Sequence, residues 1–251
     1  MTQSPQVAVI TGAAQGIGRA IALSLASHGY SLALGDISSN QQRLKQVADE
    51  CTELQKTKST HELKIYYAPC DVSIESQIEA LVDAAVKDLG GIDVMVANAG
   101  IYGAAPLLEI SDELFDKLYA INAKGVLYSY RAAAKAMIPR GGGRIIGASS
   151  VAGVTGHANN GAYGCSKSAV RILTQSAARE WGRYNITVNA YAPGAVDTNM
   201  LSRKKPILNM TSTGKITSPE DIAGLVAFLV SPAAKNITGQ AILVDGGMVM
   251  L

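Results

Sequence analysis

Seven short apolar runs, separated by amphipathic or polar stretches, constrain this chain more than any other feature. They are VAVIT (7–11), SLALGD (31–36), KIYYAPCDV (64–72), IDVMVANAG (92–100), GRIIGASS (143–150), ITVNAYAPG (186–194) and AILVDGG (241–247). Most are continuously apolar rather than alternating, as expected of parallel strands covered on both faces. The intervening segments read as helices. Residues 16–28 carry Ile17, Ile21 and Leu25 on one face, and 39–51 follow the capping candidates Ser38 and Ser39. Ser73 caps 74–89, whose stripe is Ile78, Leu81, Val82 and Ala85; Ser111 caps a long helix to Met137; 162–181 forms another. Residues 53–62 lack periodicity and predict an exposed loop. Strands alternating with helices, with no linker or repeat, predict an α/β fold. The expectation is a single doubly wound domain over 1–251 with a seven-stranded parallel sheet. Residues 195–217 are irregular and follow the sixth run, where open sheets bind ligands; they predict a flap or a plain surface loop.

Composition excludes several classes of function. The chain has 251 residues, 48% of them apolar, and a formal net charge of +2. Near-neutral charge gives no reason to expect nucleic acid, and RKK at 203–205 reads as a solvated loop. Cys51, Cys70 and Cys165 are far apart and odd in number, which fits a reduced, cytoplasmic setting. His28, His61 and His157 form no metal-ligand pattern, so no metal is expected. The N-terminal residues lack a signal-peptide pattern, and no run approaches the ~20 apolar residues of a membrane span.

TGAAQGIG (11–18) directly follows the first run. Gly12 allows a tight turn, Gly16 lets backbone approach a pyrophosphate, and Gly18 lets helix and strand pack closely, with Gln15 and Ile17 between them. The helix that begins there offers free N–H groups to an anion. Glycines near a turn are weak evidence alone; the second signal is Asp36, which ends the second run. A carboxylate there accepts both ribose hydroxyls of an adenosine and repels a 2′-phosphate. With no arginine beside it in GDISSN, NAD is expected over NADP. The competing reading makes Asp36 the residue that starts the next helix.

YGCSK places Tyr163 and Lys167 four residues apart, on one helical face. An ammonium one turn away is expected to lower the phenol's pKa from about 10, suiting the pair to proton transfer with a secondary alcohol. A surface pair is the competing reading. Ser150, thirteen residues before Tyr163, ends the fifth run and could hold the substrate oxygen; Ser149 competes for that role, and a turn cap is the alternative for either.

Taken together, TGAAQGIG, CDV (70–72), ANAG (97–100), INAKG (121–125), Ser150, Tyr163, Lys167, VNAYAPG (188–194) and GQAILVDGG (239–247) resemble the short-chain dehydrogenase/reductase family from one end of the chain to the other. The resemblance implies a Rossmann domain and hydride transfer between a substrate carbon and a nicotinamide, without metal. It implies that Tyr163 is the acid/base, that Ser150 orients the substrate oxygen, and that Lys167 also binds the nicotinamide ribose. Asn122 would hold a water linking Lys167 to solvent. Asp71 and Val72 would flank the adenine, Asn98, Ala99 and Gly100 would line the cofactor groove, and Val196 and Thr198 would meet the carboxamide. Ala97 stands where the family usually has Asn, and the flap is shorter than in many relatives.

Stretches at 162–181, 185–200 and 245–250 look closest to diacetyl/acetoin reductases. Ser150, Ala152, Asn160, Tyr163, Gly194, Ala195 and parts of 199–210 are expected to face substrate. No cation is placed to grip a carboxylate, so the expected substrate is a small neutral alcohol or ketone: diacetyl, acetoin or 2,3-butanediol, or else a bulkier cyclic or terpenoid alcohol. A homotetramer is implied, with Ala132–Ala134 and Ala177–Ala178 permitting close helix approach, or alternatively facing their own sheet. A non-catalytic dinucleotide sensor is the rival of another class, and the intact Asn122, Ser150, Tyr163 and Lys167 set argues against it. An epimerase or dehydratase of the extended branch would need a different glycine spacing and a larger C-terminal region.

Overall fold

The computed structural model describes residues 5–58, 63–198, 200 and 211–250. Seven strands form one sheet: β1 (Val7–Thr11), β2 (Ser31–Asp36), β3 (Ile65–Pro69), β4 (Val94–Ala97), β5 (Gly143–Ala148), β6 (Ile186–Pro193) and β7 (Ala241–Val244). All pair in parallel, in the order β3-β2-β1-β4-β5-β6-β7. The order reverses between β1 and β4, which opens a crevice at the strands' carboxyl ends.

Two cores flank the sheet, and strand alternation assigns residues to them. Ala8, Ile10, Leu32, Leu34, Val94 and Val96 point to one side. There they meet α1 (Gly16–Ser27), α2 (Gln41–Lys58) and α7 (Pro219–Val230) through Ile21, Leu25, Leu44, Val226 and Leu229. Val7, Val9, Ala33, Met95 and Ala97 point to the other side. They pack on α3 (Glu75–Ala84), α5 (Gly125–Met137) and α6 (Gly161–Trp181) through Ile78, Leu81, Tyr130 and Val170. Burying both faces removes apolar surface from water at about 25 cal/mol per Å².

Several boundaries differ from expectation for local reasons. The fourth strand stops at Ala97 because the Asn98 N–H turns back onto the Val96 carbonyl and the Thr11 hydroxyl. The seventh stops at Val244, where the Asp245 carboxylate accepts from the N–H groups of Gly247 and Val249 and folds the chain over. Residues 53–58 continue α2 rather than opening a loop, and 59–62 lie outside the described residues. Ser73 is not a helix cap: its hydroxyl donates to Asp71 (2.6 Å), and Ile74 precedes α3 without a side-chain cap. Ser111 does cap its helix, accepting from Leu114 N–H; α4 (Asp112–Tyr119) runs through a π-helical turn at Ala120–Lys124 into α5. Helix α7 was not expected, although Ser218-Pro-Glu-Asp221 forms a complete capping box before it.

Ala132–Ala134 and Ala177–Ala178 are buried within the single chain, so they face its own core rather than a free surface. The exposed apolar side chains on α4 and α6 are Phe115 and Ile172. Cys51 and Cys70 are buried, which pushes both thiols up to about 12, while Cys165 is exposed. No described helix is long and apolar enough to cross a membrane. Among the described residues, no three His, Cys, Asp or Glu side chains cluster as a metal site.

Candidate active site

The glycine turn leaves β1 at the crevice. Gly12 and Gly16 have φ of +65° and +55°, a region that disfavours other residues. A Cβ on Gly18 would collide with the Gly12 carbonyl oxygen and the Asn98 amide, so this glycine sets the close approach of α1 to the turn. Asn98 pins the turn from below. Its amide donates to the carbonyls of Thr11 (2.9 Å) and Gly12 (3.0 Å), and its Oδ1 accepts from the Tyr191 hydroxyl (2.7 Å). Gln15 precedes α1 without capping it, and no acidic residue stands in the first turn. Uncapped N–H groups and the positive end of the helix dipole therefore face the crevice, as an anion site requires.

Asp36 is nearly buried at the end of β2. Its Oδ2 accepts from Ala14 N–H (2.9 Å), and its Oδ1 accepts from Ile37 N–H (2.8 Å) and Asn40 Nδ2 (2.8 Å). It thus ties the glycine turn to the start of the next helix, as the competing reading expects. No arginine adjoins Asp36 in sequence, yet the fold brings one to the glycine turn: Arg43 donates from α2 to Gln15 Oε1 (3.0 Å). Asp71 and Val72 follow β3, and Ala99 and Gly100 follow β4 at the same end of the sheet. Thr198 returns over the turn: a Cβ on Gly16 would lie 3.3 Å from its methyl. Val196 bridges to Thr217, Thr213 N–H donates to the Gly246 carbonyl, and Ser212 donates to the Gly247 carbonyl. Both described ends of the expected flap are therefore fastened; residues 199 and 201–210 lie outside the described residues. A helix N-terminus, a glycine cradle and an acidic strand end, disposed in this way, fit a dinucleotide.

The second cluster sits on α6 and the end of β5. Lys167 is 4% exposed; its ammonium donates to the Ala148 carbonyl (2.9 Å) and lies 5.9 Å from the Tyr163 ring centre. Burial pulls its pKa down from 10.5 to about 8. Burial also raises the Tyr163 phenol above 10, opposed by a hydrogen bond from Ser150; the Tyr102 phenol adds to the rise. Burial thus works against the lowering expected from Lys167, whose ammonium hydrogen-bonds to the Ala148 carbonyl. Ser149 and Ser150 part company here. The Ser149 hydroxyl donates to the Lys167 carbonyl (2.9 Å), whereas Ser150 faces Tyr163 while also accepting from Ala152 N–H (3.2 Å).

Asn122 lies in the π-helical turn and is fully buried. It accepts from Ile101 N–H (2.8 Å) and donates to the Ile101 carbonyl (2.9 Å) and Ser166 Oγ (3.0 Å). Ser166 in turn donates to the Tyr163 carbonyl (2.7 Å), so Asn122 is coupled to the tyrosine through one hydroxyl. A Cβ on Gly100 would lie 3.1 Å from both Asn122 Oδ1 and Lys167 Nζ, which places these two groups around one small space. Two contacts escaped the sequence reading. Tyr102 packs edge-on against Tyr163, with ring centres 5.1 Å apart, and donates to Asn160 Oδ1 (2.8 Å). Its only sequence signal is an aromatic residue just past ANAG.

Comparison with known proteins agrees with this geometry. A family model described as "Enoyl-(Acyl carrier protein) reductase" matches residues 12–249. A short-chain dehydrogenase/reductase of Armillaria gallica is 42% identical over 257 residues, covering 97% of this chain and 96% of that one. The L-2,3-butanediol dehydrogenase of Corynebacterium glutamicum is 39% identical over 260 residues, covering 97% and 98%. The acetoin dehydrogenase structure from Salmonella typhimurium superposes with a TM-score of 0.88 at 29% identity, covering 97% and 96%. A glycine-turn crevice, a serine–tyrosine–lysine cluster beside it and likeness along the whole chain lead to one assignment: this protein belongs to the short-chain dehydrogenase/reductase family of oxidoreductases.

Proposed function

We propose that the protein interconverts a neutral secondary alcohol and its ketone with NAD as the hydride carrier. The observation that carries this reading is the Ser150–Tyr163–Lys167 cluster beside the dinucleotide crevice, with Ser150 and Lys167 buried and Tyr163 half-buried. When bound, the nicotinamide supplies or accepts the hydride. The chain handles the proton and the oxygen. Ser150 donates to the substrate oxygen and orients it. Tyr163, kept neutral by burial, delivers its proton to the oxygen of a ketone being reduced; in its ionised form it takes one from an alcohol being oxidised. Lys167 holds positive charge beside the phenol and the ribose, and Asn122 positions the α6 backbone through Ser166. A non-catalytic sensor would not need a buried, costly ammonium.

Asp36 supports NAD over NADP, since its buried carboxylate disfavours a second negative charge at the ribose. Asp36→Ala removes that repulsion while Arg43 remains beside Gln15. The ratio of kcat/KM for NADPH to that for NADH is expected to rise about a hundredfold, the equivalent of roughly 3 kcal/mol. Parallel titrations of the two reduced cofactors check this, and an unchanged ratio removes Asp36 from the ribose site. The ratio is the proper measure because the substitution also strands the N–H groups of Ala14 and Ile37.

The small-diketone reading rests on likeness to butanediol dehydrogenase; a bulkier cyclic or terpenoid alcohol is the alternative. NADH oxidation with diacetyl and acetoin, beside a panel of cyclic ketones, separates the two. Turnover of the small ketones alone is the expected result, and turnover of the bulky ones alone replaces the substrate while keeping the reaction. The same reading includes a homotetramer in which Phe115 and Ile172 are covered by other copies.

A further inference from the structure

The loop after β4 and the segment entering α6 are joined beside Tyr163. Ala105 N–H donates to the Asn159 carbonyl (2.9 Å), the Tyr102 hydroxyl donates to Asn160 Oδ1 (2.8 Å), and a Cβ on Gly161 would lie 2.5 Å from Leu107. Asn159 has φ +66°, which the short amide side chain tolerates and which turns the chain just before Asn160. Asn160 caps α6 by position but not by side chain. Its side chain is committed to Tyr102, whose ring lies edge-on against Tyr163. Asn160, just before α6, and Tyr163 are three residues apart and linked through Tyr102.

Only one end of the Asn160 amide is used. Oδ1 accepts from Tyr102, and Nδ2 makes no hydrogen bond among the described residues. An oriented amide with an open donor, one helical turn from the reacting tyrosine, is a ready partner for a second substrate oxygen. We propose that Asn160, held in place by Tyr102, reads an oxygen on the carbon next to the reacting carbonyl. Vicinal diketones and hydroxyketones are thereby favoured over simple ketones. This rests on the alcohol/ketone reading above. Asn160 is the specificity-determining residue, and Tyr102 is a positioning residue.

Asn160→Asp tests the donor while keeping an acceptor for the Tyr102 hydroxyl. The substrates are diacetyl against 2-butanone and, for a wide pocket, 1-phenylpropane-1,2-dione against phenylacetone. Intrinsic carbonyl reactivity cancels when the diketone-to-monoketone ratio of kcat/KM is compared between wild type and variant. The expected result is a fall of about tenfold or more in that ratio, carried mainly by KM for the diketone. Asn160→Ala is expected to act in the same direction. Tyr102→Phe, which keeps the ring and releases the amide, is expected to produce a smaller fall. An unchanged ratio in a folded Asn160→Asp protein, or equal losses on both ketones, overturns the inference and leaves the reaction class standing. Failure of the wild type to reduce any ketone overturns the proposed function itself, and this inference with it.

Discussion

Tyr163→Phe is expected to lower kcat for ketone reduction by about a thousandfold, within the range of one lost general acid. The ring remains, so its edge contact with Tyr102 and its packing beneath the crevice are preserved. NADH affinity should therefore stay within about threefold, because the substitution removes one hydroxyl and keeps the ring in place. Stopped-flow turnover and a fluorescence titration of NADH check the two halves separately. Substantial residual turnover would take Tyr163 out of the acid/base role. The pH dependence follows from the same group. Burial raises the phenol's pKa, so at neutral pH the folded protein holds it protonated, ready to donate. Ketone reduction is expected to hold steady around neutrality and to decline as the phenol ionises in the alkaline range. Alcohol oxidation, which needs the ionised form, should climb over that same range. The opposed slopes should vanish in Tyr163→Phe.

Lys167→Met is expected to separate stability from activity. The ammonium is buried with one carbonyl partner, and burial lowers its pKa to about 8. A folded-state value below the unfolded one means that the charged form penalises folding. The penalty is full below pH 8 and fades as pH rises through 8 toward 10.5. Its upper limit is about 3 kcal/mol. Methionine fills similar space without charge but leaves the Ala148 carbonyl unpaired, which returns about 1 kcal/mol or more. The net expectation at pH 7 is a Tm gain of roughly 3–6 °C for the cofactor-free protein. Ketone reduction should fall at least about a hundredfold. Thermal melts at pH 7 and pH 10 test the sign, since the advantage over wild type should shrink at the higher pH. A variant less stable than wild type at pH 7 would show that Lys167 supports the fold rather than straining it.

The division between sequence and structure follows the range of the forces involved. Strand and helix identity, the glycine turn and the parallel class were legible because they are local or periodic. Val7 and Val9 must face away from Ala8 and Ile10, and a sheet covered on both sides uses both sets. The Tyr163–Lys167 pairing was legible because four residues make one helical turn. Helix α7 was missed although its capping box was in view, and Ser73 was misread because its hydroxyl found Asp71 closer than the helix end. What lay beyond the sequence was every outcome decided between distant segments. Sequence favoured Ser150 but left Ser149 as a competitor; the fold gives Ser149 to the Lys167 carbonyl and Ser150 to Tyr163. It could not bring Arg43 to Gln15, or Tyr102 to Asn160 across 58 positions. Nor could it foresee that desolvation, a property of the whole packed interior, would raise the phenol that a neighbouring ammonium was expected to lower. Local chemistry determined which groups this protein carries, and burial and long-range contact decided what each of them faces.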